Sequence, residues 1–191
     1  MHYNKDMSRR ILSIIVMMSL LAWSTPSFAR QDNPALEELF DQLATTDNVD
    51  AAKAIEGSIW KIWLSSGSDT VDFLMLQGIS YMSRGEFSKA ISLFSTVIKV
   101  DPEFSEGWNK RATVLFLIGE FDGSIEDIGR TLELEPRHFG ALSGLGQIYD
   151  IQKSEEGALS AYEKAVDLNP HMPGVRARLE QLIIERDKKR I

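Results

Sequence analysis

The sequence predicts an all-α solenoid of stacked helical hairpins, and three observations predict it. Proline recurs at Pro102, Pro136 and Pro170 with a constant step of 34 residues, small and bulky residues between the prolines fall into matching columns, and each period holds two helix-length apolar segments. With each proline at position 32, the periods run Val71 to Pro102, Ser105 to Pro136 and Phe139 to Pro170.

The columns justify the elements in turn. Near the start of each period a large slot holds Leu74, Trp108 and Leu142, a small slot four later holds Gly78, Ala112 and Gly146, and the next large slot holds Tyr81, Leu115 and Tyr149. In the second half the small slot is Ala90, Ser124 and Ala158, followed by Phe94, Ile128 and Tyr162. Two antiparallel helices cross closely only where a small residue replaces a bulky one, with aromatics filling the space beside the crossing. These residues resemble the tetratricopeptide repeat, W-x2-L-G-x2-Y followed by A-x3-F and P. The resemblance covers about 102 residues in three units of one register. It implies a right-handed helical-hairpin solenoid, with Trp108 in the family's own packing column. Some columns depart: the family's Leu before the small slot is Gln77 and Arg111 in the first two units and Leu145 in the third, and its late alanine is Val97, Thr131 and Ala165.

Punctuation within each unit agrees. Gly85 and Gly119 offer a left-handed helix end without steric cost, whereas the third unit has Lys153-Ser154-Glu155, a less favoured turn. Pro102, Pro136 and Pro170 stop every second helix, because proline donates no helical hydrogen bond and disfavours helix in the residue before it.

The flanks extend the architecture. Pro34 to Leu43 has helical apolar spacing, and Ala51 to Leu64 gives a second helix after the polar break Thr45 to Asp50. Carrying the register backward puts Phe40 in the first large slot, Ala44 in the small slot and Trp60 in the later aromatic slot, so residues 30–70 read as a degenerate N-terminal hairpin ahead of the three repeats at 71–172. Residues 173–191 supply a C-terminal capping helix, Pro173 to about Lys188, with Val175, Leu179, Leu182 and Ile183 on one face.

Residues 1–29 read as an export signal. Lys5, Arg9 and Arg10 precede the apolar run Ile11 to Trp23, and Ser27-Phe28-Ala29 places small residues where a signal peptidase cleaves. That run rises only about 20 Å as a helix, short of the ~30 Å hydrocarbon core, so a cleaved signal is expected and membrane association is confined to the uncleaved precursor. A periplasmic location follows, with secretion as the alternative. Without residues 1–29 the chain carries 18 Lys+Arg against 27 Asp+Glu, a formal charge of −9, which repels phosphate backbones and argues against a nucleic-acid partner. The absence of cysteine excludes disulfides, thiol catalysis and lipid attachment through a cysteine.

No catalytic, cofactor-binding or metal-ligating constellation stands out. His138 and His171 follow closing prolines 33 residues apart, without an Asp, Glu or Cys set at ligand spacing. The acid pairs Glu37-Glu38, Glu126-Asp127 and Glu155-Glu156 are expected on solvated faces, and the basic run Arg186 to Arg190 completes a helix end or else touches anionic lipid. Trp60 and Trp63, three apart on one face, fill a core or else anchor a partner.

In the family that the repeats resemble, partners lie in a concave groove lined by positions 2, 5, 9 and 12 of each first helix. Carried onto this chain, those positions are Asp72, Met75, Ile79 and Met82; then Glu106, Asn109, Thr113 and Phe116; then Gly140, Ser143, Gln147 and Asp150. Only Asn109 and Lys110 suit the family's clamp for a free carboxylate terminus, so an apolar contact is expected instead, with Met75, Ile79, Met82, Asn109, Lys110, Thr113, Phe116 and Gln147 as the candidate partner-binding residues. Met82 and Phe116 share one column and are expected to face each other across the groove. The expected function is a non-enzymatic scaffold or adaptor for a protein or peptide partner, the alternative a periplasmic holdase or assembly factor for envelope proteins, with the oligomeric state left open.

Overall fold

The computed structural model describes residues 33–189, which form nine α-helices and no strand. In chain order they are α1 (Pro34–Thr45), α2 (Val49–Trp63), α3 (Asp69–Ser83), α4 (Phe87–Val100), α5 (Ser105–Leu117), α6 (Phe121–Leu134), α7 (Phe139–Ile151), α8 (Glu155–Leu168) and α9 (Pro173–Lys188). The apolar run Ile11 to Trp23 and the cleavage sequence at Ser27 to Ala29 lie outside the described residues. No helix among the described residues is long and apolar enough to cross a membrane.

The hairpins α3–α4, α5–α6 and α7–α8 are the three sequence periods. Each first helix ends in a left-handed residue, Gly85 at φ 74°, Gly119 at φ 81° and Lys153 at φ 59°. The third turn thus keeps the geometry of the other two despite its side chain, a conformation that disfavours non-glycine residues. Close crossing occurs at the small columns. A Cβ added to Gly78 would lie 2.5 Å from the Phe94 ring, and one added to Gly146 would lie 2.4 Å from the Tyr162 ring. In the middle unit the Ser124 hydroxyl donates to the Ala112 carbonyl at 2.8 Å, so the same crossing is made by a hydrogen bond.

Arg111, in the slot where the repeat pattern has leucine, pairs bidentately with Asp127 of α6 at 2.7 Å for both bonds and donates to the Ser95 hydroxyl of α4 at 3.1 Å. It therefore ties the second unit to the first. This corrects the expectation for Asp127, which is buried rather than solvated. Trp108 also departs from expectation: it is half-buried, donates to the Pro102 carbonyl at 2.9 Å, and lies beneath the guanidinium groups of Arg111 and Arg130. The arginine in the neighbouring column replaces the apolar packing that would otherwise cover the indole.

At the C-terminal end α9 lies on α8, burying Leu182 with Val175, Leu179 and Ile183 beside it. Its Arg178 clasps Asp150 of α7 through two bonds of 2.6 and 2.7 Å, which raises the arginine's pKa and lowers that of the aspartate.

The N-terminal hairpin forms, but it does not continue the stack ahead of α3. Asn33 and Asn48 cap α1 and α2 by accepting from backbone N–H groups at 3.0 Å. From there α1 and α2 pack together and reach across to α7 and α8, building a core of Leu36, Phe40, Leu43, Ile59 and Trp63 around Phe139, with Leu168 and Met172 at its edge. The leading face of α3, where a preceding second helix would lie, leaves Phe73 59% and Leu76 66% exposed.

Candidate functional site

The candidate groove residues divide into three groups. Met75 is buried in the core with Val71, Phe94 and Val114, so it is not available to a partner; Ile79 and Met82 pack half-buried against that same core. The columns do not open into one apolar strip because the first unit turns these side chains inward. Asn109, Thr113, Phe116 and Gln147 come together around a cavity of about 250 Å³ between α5 and α7, together with Gly140, Gly144 and Ile148. Met82 and Phe116 belong to different clusters, and the Phe116 ring packs against Phe121, at 5.9 Å between centroids.

The third group is a buried polar knot at the start of the groove. Glu106 is fully buried, accepts from Asn109 at 3.2 Å on both oxygens, and lies 3.3 Å from the Lys110 ammonium. His138 completes it. Its Nδ1 accepts from the Ala141 N–H at 3.0 Å, which leaves the proton on Nε2 to be donated to Glu106 at 2.6 Å. Burial by itself would push the Glu106 carboxyl up, but the Lys110 charge, the His138 bond and the Asn109 amide overcome it and hold the group at about 2.

The N-terminal hairpin closes over this knot. Trp63 stacks on His138 with centroids 4.3 Å apart and rings within 12° of parallel, and its Nε1 donates to Glu135 at 3.3 Å. Trp60 sits edge-on to His138 and Phe139, takes the Lys110 ammonium over its ring at 5.2 Å, and fills the space at Gly140, where an added Cβ would lie 2.8 Å from the indole. Glu56 accepts from Asn169 at 3.3 Å and from Trp60 at 3.2 Å. Glu135 and Asn169 occupy the same position of successive units, one residue before the closing proline, and each also accepts from the backbone N–H two residues on, Arg137 at 3.0 Å and His171 at 2.9 Å. Thus α2 lies across two consecutive closing loops and occupies the near end of the concave columns.

Sequence reasoning missed Glu135, His138 and Gly140 as hairpin contacts. The available signal was the polar residue before each closing proline, a position in a turn where a side chain reads backbone N–H groups. Among the described residues no group of three His, Asp or Glu side chains is placed to hold a metal ion.

Known proteins share the repeats of this chain. The tetratricopeptide repeat profile matches residues 75–130 and 118–173, which together span more than half of the chain. A TPR repeat-containing protein of Rhizobium etli is 35% identical over 103 residues, 54% of this chain and 50% of that protein. A tetratricopeptide repeat protein 36 homolog of Nematostella vectensis is 32% identical over 63 residues, 33% of this chain and 35% of that protein. The chain therefore spans half or less of the length of these relatives. Among solved structures, the Sgt2 TPR domain from Aspergillus fumigatus superposes with a TM-score of 0.59 at 25% identity, covering 64% of this chain and 83% of that one. The first TPR of Spaghetti (RPAP3), bound to an HSP90 peptide, gives 0.59 at 20% identity over 61% and 93%, and the yeast Sti1 TPR2B domain in its pHsp70 complex gives 0.56 at 20% over 64% and 99%. The last two likenesses establish the fold alone. With the 34-residue columns, the small-residue crossings and the profile match in one register, this chain belongs to the tetratricopeptide repeat family.

Proposed function

We propose that the protein is a non-enzymatic binding module that takes a segment of a protein partner into its concave face, acting as a scaffold or adaptor in the periplasm. The observation that carries this reading is the cavity of about 250 Å³ on the concave columns, with apolar walls at Phe116 and Ile148 and polar groups at Asn109, Thr113 and Gln147. A site of that size takes one large apolar side chain, and amide and hydroxyl groups at its rim orient the chain that carries it. The peptide complexes of the Spaghetti (RPAP3) and Sti1 domains support the class of ligand and say nothing of its sequence here. Charge supports a protein over a nucleic acid, and the export signal in the sequence supports the compartment.

A photo-crosslinking residue at Thr113, in intact cells, tests the reading. One or two partners should be captured, and Gln147→Arg, a change at an exposed rim position, should abolish capture while leaving the thermal midpoint unchanged. Capture of many unrelated proteins would replace the adaptor with a holdase, and capture indifferent to Gln147→Arg would remove the cavity from the site. N-terminal sequencing of the mature protein should begin at Arg30; a product that keeps the apolar run in the membrane would replace the periplasmic reading with an anchored one.

A further inference from the structure

The contacts made by α2 have a spacing of their own. Glu56 meets Asn169 in the closing loop of the third unit, and Trp63 meets Glu135 in the closing loop of the second. Seven residues separate these two contacts, which is about two helical turns or ~10.5 Å of rise. Successive units are displaced by about one helix-packing distance, ~8–10 Å. A straight helix laid across the loops therefore meets one unit every two turns. Between the two polar contacts, Trp60 seats against Gly140 under the Lys110 ammonium. The hairpin is joined to α3 by the short loop Leu64 to Ser68, and its apolar contacts lie with α7 and α8 rather than with α3.

We propose that the α1–α2 hairpin is a tethered occupant of the concave face, holding the seat of a partner helix that carries an acid, an aromatic four residues on, and a second aromatic with a ring N–H three further. Glu56, Trp60 and Trp63 display that pattern; the loops recognise it by amide-to-carboxylate and stacked indole–imidazole contacts, and Lys110 of α5 by a cation–π contact. The proposal rests on the reading of the concave face as a protein-binding surface and specifies the chemistry of what it binds. A partner competes with the hairpin, so apparent affinity is set by the fraction of molecules in which the hairpin is released.

The probe is a fluorescein-labelled peptide copying residues 33–66, and the acceptor is the full chain with Trp60→Ala and Trp63→Ala. The labelled peptide should bind this acceptor at least about tenfold more tightly than the wild-type chain, whose seat is filled. A peptide with both tryptophans changed to alanine should not bind. Adding Gly140→Leu to the acceptor should abolish binding, because the new side chain takes the place of the indole. In the wild-type background Gly140→Leu should speed amide exchange in residues 49–63 by more than about tenfold while α5 to α8 keep their protection. Equal binding to acceptor and wild type, or none to a folded acceptor, overturns the proposal. So does loss of helicity beyond α1 and α2 in either variant, since a displaceable hairpin must leave the repeats intact. Gln147→Arg is the separating control: it should leave peptide binding unchanged even where it abolishes partner capture, so failure of the cavity reading is read independently.

Discussion

Glu106 offers a direct measurement of how the buried knot is held together. Its carboxyl is fully buried, which disfavours the charge, yet Lys110, His138 and Asn109 together depress its pKa from 4.5 to about 2. A depressed carboxylate pKa means that the unfolded chain binds more protons between those values, so the stabilisation is complete above about pH 4.5 and is lost as pH falls toward about 2. At 1.36 kcal/mol per pKa unit the contribution at neutral pH is about 3 kcal/mol. Glu106→Gln keeps an acceptor for the His138 N–H while removing the charge that Lys110 answers. Urea unfolding of both proteins from pH 7 to pH 2.5 should give a stability gap of about 3 kcal/mol at pH 7, closing to below about 1 kcal/mol at pH 2.5, where the carboxyl of the unfolded chain is protonated and the pH nears the folded-state pKa of about 2. A gap that stays constant over that range would refute the reasoning, because it would mean that Glu106 is already uncharged in the folded protein and that the variant loses only packing.

Other changes test the fold. Asp127→Ala leaves the Arg111 guanidinium without its bidentate partner and should cost about 3 kcal/mol in chemical denaturation, with Arg111→Leu in the same chain recovering part of the loss. Gly146→Ala brings a methyl group against the Tyr162 ring and should destabilise by about 1 to 3 kcal/mol, read as a lower thermal midpoint. Trp63→Ala should cost about 3 to 5 kcal/mol and Trp108→Ala less than half of that, since the first indole is only 2% exposed and the second half-buried; equal losses in paired melts would show that exposure does not govern these sites.

The repeats were legible because their signals are local and redundant. A proline stop, a glycine turn and a small residue at the crossing each act within one unit, and three units repeat them. The candidate site was less legible because burial of a groove column depends on what lies over it. Nothing near Met75 in the chain announces that it packs with Val114 of the next unit, and nothing near Glu106 announces His138, which is 32 residues away. Arg111 is the instructive middle case. Its departure from the leucine column is visible in the sequence, but its partner Asp127 reads there as one of a solvated acid pair, because a charge on an amphipathic helix is ordinarily at the surface.

The same columns explain why the N-terminal hairpin leaves the stack. In its register the second-helix small slot falls at Glu56, where the three repeats have Ala90, Ser124 and Ala158. A carboxylate at that crossing would be buried without a partner, at a cost far above that of leaving it at a polar loop. The next interface is blocked as well. Gly107 of the second unit lies directly on Val97 and Ile98 of α4, whereas the corresponding position of the first unit is Phe73 and the residues that would meet it are Trp63 and Leu64. Two large aromatics do not fit where a glycine meets a valine. Across the closing loops, by contrast, Glu56 finds the Asn169 amide, Trp63 finds His138 and Glu135, and Trp60 finds the one concave-column glycine of the third unit. The substitutions that make this hairpin a poor repeat are the ones that make it a good ligand for the repeats that follow.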